Sequence, residues 1–179
     1  TYFPRHGLEL MNVQRVPSKG GSIRCTVQQR GGNRTISSAV QEHIDMENRL
    51  DISHVDFFKP CISRIHDVRE KMINILEDIK LKGKSVAGYG TSIGATNLTY
   101  QLGLGEAIEY FVDDDPYRQN LVSPGYNIPV LDPKVLLEKK PDYVLIMAPL
   151  YADQIINKNQ AYIDQGGRFM EIWPTIRTR

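Results

Sequence analysis

"SVAGYGTSIGATN", Ser85 to Asn97, joins a short apolar run to glycines, small hydroxyl residues and the start of a helical pattern. Strand, glycine turn and helix in that order aim backbone N–H groups and the positive end of a helix dipole at one point, which suits an anion. Gly88 and Gly90 match the first two glycines of a dinucleotide fingerprint, and the third falls one place late at Gly94, giving GxGxxxG. Two readings stand side by side. The glycines let backbone approach a phosphate, or they only permit tight strand–helix packing. Thr91, Ser92 and Asn97 divide in the same way, as donors to a phosphate or as helix caps.

Outward from this turn, strand and helix patterns alternate to the end of the chain. "IEYFVDD", "NIPVL", "PDYVLIMAP" and "RFMEIW" read as strands, and "GATNLTYQLGLG", "DPKVLLEKK" and "YADQIINKNQAYIDQGG" as helices. The run Tyr143–Ala148 suits a strand buried on both faces. The alternation predicts an α/β, Rossmann-like domain over 85–179, a mainly parallel sheet flanked by helices. Ligands of such sheets sit beyond the carboxyl ends of the strands, which puts Gly88–Gly94, Asp113–Arg118 and Ala148–Tyr151 on one edge. Asp113 ends the second strand, near where a ribose-binding acid belongs. The three aspartates of "VDDDPYRQN" also admit a magnesium reading. We favour a turn at Asp115-Pro116 with Asp114 facing water, which leaves Asp113 nearest a ligand.

Upstream, "LELMNVQRV" and "SIRCTVQQ" flank "PSKGG", a β-hairpin within residues 1–30. Two strands cannot bury a core, so the hairpin must lean on something. Residues 31–84 read as a helical linker. In it Ile65, Val68, Met72, Ile75, Leu76 and Ile79 recur at three- and four-residue steps, and Gly83 stands where a helix stops. Glu42 and His43 are adjacent on a helix and diverge, so they form no acid–base pair; His66 beside Asp67 and Glu70 reads the same way.

The 179 residues are 41% hydrophobic and 24% charged, the balance of an ordinary soluble protein. With 22 basic and 21 acidic side chains, the net charge of +1 gives no footprint for nucleic acid or an anionic membrane. No apolar run is long enough to span a bilayer, and the start has no signal-peptide layout. Cys25 and Cys61, far apart and without a partner motif, read as buried thiols of a cytoplasmic protein. His6, His43, His54 and His66 have no metal-ligand spacing, so no metal is expected. The chain opens on Thr1, as a processed chain or a fragment does.

The blocks "VAGYGTSIGATNL", "FVDDDPYRQNLVSPGYNIPVL", "KPDYVLIMAPLYADQII" and "GGRFMEIWP" follow one another in this order. Together they resemble the C-terminal domain of S-adenosylmethionine-dependent C-methyltransferases that act on nucleotide-linked sugars and related substrates. The resemblance covers Ser85–Pro174. It extends more loosely to "RHGLELMNVQRVPSKGGSIRCTVQ", which is similar to the closing hairpin of the catalytic domain. It implies that S-adenosylmethionine is bound by an upstream domain, outside this chain, and that neither a cofactor nor a catalytic residue belongs to this chain. By the same resemblance Gly88, Gly90, Thr91, Ser92, Gly94 and Asn97 would anchor the substrate, with Asp113, Tyr117 and Arg118 near the nucleotide.

Three departures from the family pattern bear on the substrate. Gly94 stands where many members have lysine, Pro149 where many have tryptophan, and Gln154 where many have glutamate. No strand–GxGxG motif precedes Ser85, so the chain reads as the C-terminal piece of a larger enzyme. Two rival readings use the same residues: an NAD-binding oxidoreductase domain with Asp113 on the ribose, and a non-catalytic interaction domain with a structural loop. Gly90→Val would separate anchoring from structure, provided Gly90 has a negative φ.

Overall fold

The computed structural model describes Tyr2–Arg179, which form two compact units, one ending at Pro60 and the other running Cys61–Arg179. In the first, α1 (Tyr2–Arg5) precedes an antiparallel hairpin of β1 (Leu8–Val16) and β2 (Ser22–Gln29). A register shift between Leu10 and Asn12 takes Met11 out of the ladder, and the Met11 carbonyl accepts the Ser37 N–H at 2.9 Å. Ser37 then caps α2 (Ser38–Leu50), its Oγ accepting the Ala39 N–H at 3.3 Å. α2 packs on β1, where Met11 and Val13 are buried, and so supplies the support that two strands need. β2 has no such cover. Cys25, expected as a buried thiol, is therefore exposed, and so is Cys61 on the next helix; both thiols are free.

That helix, α3 (Lys59–Leu81), gives the second unit part of its core through Val68, Met72, Leu76 and Ile79. It stops where expected. Gly83, at φ +63°, donates to Lys80 O at 2.9 Å, and Lys84 donates to Ile79 O at 3.1 Å, the paired bonds of a Schellman stop.

The sheet consists of β3 (Val86–Tyr89), β4 (Phe111–Val112), β5 (Val130–Leu131), β6 (Tyr143–Ile146), β7 (Arg168–Glu171) and β8 (Arg177–Thr178). Their order is β5-β4-β3-β6-β7-β8, parallel except for β8, which runs antiparallel to β7. The helices are α4 (Ile93–Gln101), α5 (Val135–Lys139), α6 (Ala152–Lys158) and α7 (Gln160–Asp164). This is the α/β, Rossmann-like fold expected. Side chains alternate between two cores, with Phe111, Leu145 and Met170 in one and Tyr89, Val112, Val144, Ile146 and Phe169 in the other. Val144, Leu145 and Ile146 are fully buried, as a central strand requires.

Two details differ from the sequence reading. β8 is an additional edge strand. The single helix expected after β6 opens as a 3₁₀ turn at Pro149–Tyr151 and breaks at Asn159 into α6 and α7. Asn159 leaves helical geometry (φ −110°, ψ 33°), and its side-chain amide donates to Ile155 O at 2.7 Å.

Candidate functional site

From β3 the chain builds outward through β4 and β5, then crosses back to lay β6 on the other side of β3. The loops leaving β3 and β6 therefore part, and a crevice opens at their carboxyl ends. A cleft of about 460 Å³ lies there, a size suited to a small molecule. The turn after β3 lines it with Gly90, Thr91 and Ser92, the loop after β4 with Asp113, Asp114 and Arg118, and the segment after β6 with Ala148, Tyr151, Gln154 and Lys158.

The three glycines have separate roles. A Cβ on Gly88 would overlap the Phe111 ring, so this position serves packing between β3 and β4. Gly90 has φ +97°, and its Cβ would lie 3.3 Å from Ala148 Cβ, so it serves both the turn and the close approach of the two loops. The negative φ that a Gly90→Val probe needs is absent, and valine there would strain the backbone with or without a ligand. A Cβ on Gly94 would meet only Ser92 Oγ, at an ordinary 3.5 Å. Nothing in the fold demands glycine at position 94.

Asp113 holds the site together. It is only 6% exposed, and its Oδ2 accepts the Thr91 N–H at 2.7 Å, the Thr91 hydroxyl at 2.6 Å and Arg118 Nη1 at 3.3 Å. Its Oδ1 accepts the Asp115 N–H at 2.9 Å. Burial alone would push this carboxyl up. The donors from Thr91 and Asp115, with the Arg118 charge, outweigh burial and hold it below the usual carboxylate range. The ionised side chain thus ties the glycine turn to the aspartate loop, with every oxygen already taken.

Its neighbours point elsewhere. Asp114 is exposed, as expected, and its side chain also accepts the Tyr89 hydroxyl at 3.0 Å and pairs with Lys158. Asp115 Oδ1 accepts the Tyr117 N–H at 3.0 Å, while its Oδ2 pairs with Arg118 Nε at 3.3 Å. Among the described residues no cluster of His, Cys, Asp and Glu could hold a metal ion. At the start of α4, Ser92 Oγ accepts the Ala95 N–H at 3.4 Å and Ser92 O accepts that of Thr96 at 3.1 Å. The N–H groups of Ile93 and Gly94, at the exposed first turn, have no intrahelical acceptor.

Of the residues singled out in the sequence, Gly90, Thr91, Ser92, Asp113 and Arg118 come together in the cleft. Gly88 lies within the sheet on β3, Gly94 at the exposed helix start, Asn97 on the outer face of α4, and Tyr117 is 89% exposed beyond the lining. Sequence reasoning did not single out Lys158, and it named Tyr89, Asp114 and Gln154 without assigning them to the substrate. A signal existed for two of them: Tyr151, Gln154 and Lys158 fall at helical spacing directly after the most apolar strand.

Residues 17–174 match the family described as C-methyltransferase C-terminal domain. The chain belongs to this family. It is 29% identical over 178 residues to the C-methyltransferase NovU of Streptomyces niveus, an alignment that takes in 99% of this chain and 42% of that protein. The chain thus spans less than half the length of this relative. Among solved structures, UDP-D-quinovosamine 4-dehydrogenase from Vibrio fischeri shares 20% identity at a TM-score of 0.37, covering 49% of this chain and 76% of its own. That likeness is too slight to carry an argument.

Proposed function

We propose that this chain is the substrate-side part of an S-adenosylmethionine-dependent C-methyltransferase, and that its cleft anchors the diphosphate of a nucleotide-linked sugar. One observation carries the reading. Asp113, buried and ionised, fixes the glycine turn so that the open start of α4 stands beside a cleft at the sheet's switch point. Arg118 and Lys158 add two cations to the cleft. Each already pairs with an aspartate, so a diphosphate competes for them and binds this chain weakly.

In the parent reaction a base outside this chain removes a proton beside a carbonyl. S-adenosylmethionine, held outside this chain, would supply the methyl group to that carbon nucleophile and would leave as the neutral thioether S-adenosylhomocysteine. This chain's share is to bind and orient the acceptor. Asp113 already accepts three donors on Oδ2 and one on Oδ1, so most of its carboxylate is committed to the fold rather than open to a ribose diol. We assign the methyl donor to an upstream domain. We read the hairpin as the closing piece of that domain, because Ile23, Val27, Ile44 and Leu50 in the first unit stay exposed.

Gly94→Lys tests the reading. It restores the cation that many family members carry, at a position with room for a side chain. A charge-assisted bond contributes about 1.5–3 kcal/mol, less where water screens it. Calorimetry should show uridine diphosphate binding the variant about tenfold more tightly, with the melting temperature unchanged. Equal affinity in a folded variant would remove the diphosphate from this loop.

A further inference from the structure

The apolar stripe of α3 is longer than the core it serves. Cys61, Ile65, Val68, Met72, Ile75 and Ile79 follow one another at alternating steps of four and three, which is one face of the helix. From Ile65 onward this face packs into the second unit. Before Ile65 it packs on nothing, because all of residues 53–64 are exposed. The helix therefore overhangs its own core by about one and a half turns.

An overhang in water calls for polar side chains, yet large apolar ones stand here. Val55 is 70% exposed, Phe57 41%, Phe58 48% and Ile62 48%. The Phe57 and Phe58 rings meet edge to face with centroids 5.1 Å apart, just before α3 begins. The start of the helix is also braced. Arg64 Nη2 donates to Pro174 O at 3.2 Å, with its guanidinium 5.5 Å from the centre of the Trp173 ring, and Lys59 pairs with Asp56 at 2.6 Å. A preformed apolar surface of this kind marks an interaction site. Its size decides the kind of partner. Four such side chains offer about 300–400 Å², well short of the about 800 Å² that each member of a stable dimer buries. Covalent linkage raises the effective concentration to about millimolar, so a domain of the same protein holds on a smaller contact.

We propose that the start of α3 docks on an apolar face of the upstream domain of the same protein, as a contact separate from the hairpin. This rests on the reading of the chain as the C-terminal part of a longer enzyme. The two free thiols report the two contacts separately, because Cys25 lies on β2 and Cys61 on the overhang. Both should react with a maleimide in the 179-residue chain. In the full-length enzyme, mass spectrometry of the peptides should find Cys61 labelled at least about tenfold more slowly. Phe57→Gln combined with Ile62→Gln should restore the labelling rate there and leave the melting temperature of the 179-residue chain unchanged. If Cys61 stays reactive in the full-length enzyme while Cys25 is protected, the overhang does not dock and the hairpin reading stands. If both stay reactive, neither surface meets an upstream domain. Protection of Cys61 that survives the double variant would place the contact elsewhere. A lower melting temperature of that variant would mean that the two side chains already pack within the chain. Sedimentation showing that the 179-residue chain dimerises, and that the double variant does not, would give the surface to a second copy and overturn the proposal.

Discussion

Asp113 links the glycine turn, the aspartate loop and Arg118, so its chemistry shows in stability. Its folded carboxyl lies below the ordinary value. The stability it contributes is therefore present above the unfolded pKa and lost as pH falls through the folded one. The melting temperature should fall in acid, beginning near pH 4, the ordinary aspartate value. Asp142, also depressed by the Ser85 N–H at 2.9 Å, adds to this loss. Asp113→Asn should be about 2–3 kcal/mol less stable at neutral pH and less acid-sensitive than the wild type. Unchanged denaturation at pH 7 would contradict the linking role.

Two buried tyrosines give a second contrast at this scale. Tyr110 is 4% exposed, its hydroxyl has no hydrogen-bond partner, and burial pushes its pKa up to about 12. The Tyr162 hydroxyl donates to Pro141 O at 2.7 Å and accepts the Arg168 N–H at 3.2 Å. Removing an unpaired buried hydroxyl relieves a desolvation cost, whereas removing a paired one strands its partners. Tyr110→Phe should keep or raise the melting temperature, and Tyr162→Phe should cost about 1–3 kcal/mol. Chemical denaturation of the two variants checks the ranking, and the reverse order would contradict it.

Among elements, the turn from β3 into α4 was legible from glycine spacing because only strand, turn and helix accommodate that run of residues. Its use of each glycine was not, since that depends on Phe111 and Ala148 arriving from other strands. Gly88→Ala should destabilise by about 1–3 kcal/mol through overpacking, and Phe111→Leu on top of it should recover part of the loss. No recovery would mean that the Phe111 ring is not what the new methyl group meets. The face of α3 was equally plain, because its apolar residues follow the helical period. β8 gave no signal: an exposed two-residue edge strand has no alternation to read, and Arg179 beside it is tied to Glu171 at 2.8 Å and Asp153 at 2.7 Å. Cys25 misled for a related reason, since sequence does not reveal which face of a hairpin lacks a cover. The pairing of Lys158 with Asp114 was hidden because the two stand 44 residues apart.

At the scale of the whole molecule, the second unit has a complete core on both faces of its sheet, while the first leaves Ile23, Val55 and Leu50 at least half exposed. No helix among the described residues is long and apolar enough to cross a membrane. A finished α/β unit and an open apolar hairpin fit the proposed division of labour, in which this chain holds the acceptor and another domain brings the methyl group. The most direct test follows the backbone amides of the chain while a uridine diphosphate-linked sugar, and separately S-adenosylmethionine, is added. The sugar nucleotide should shift Gly90, Thr91, Ser92, Ile93, Gly94 and Lys158, and S-adenosylmethionine at the same concentration should shift none of them. Shifts of these amides by S-adenosylmethionine, or their indifference to the sugar nucleotide, would contradict it.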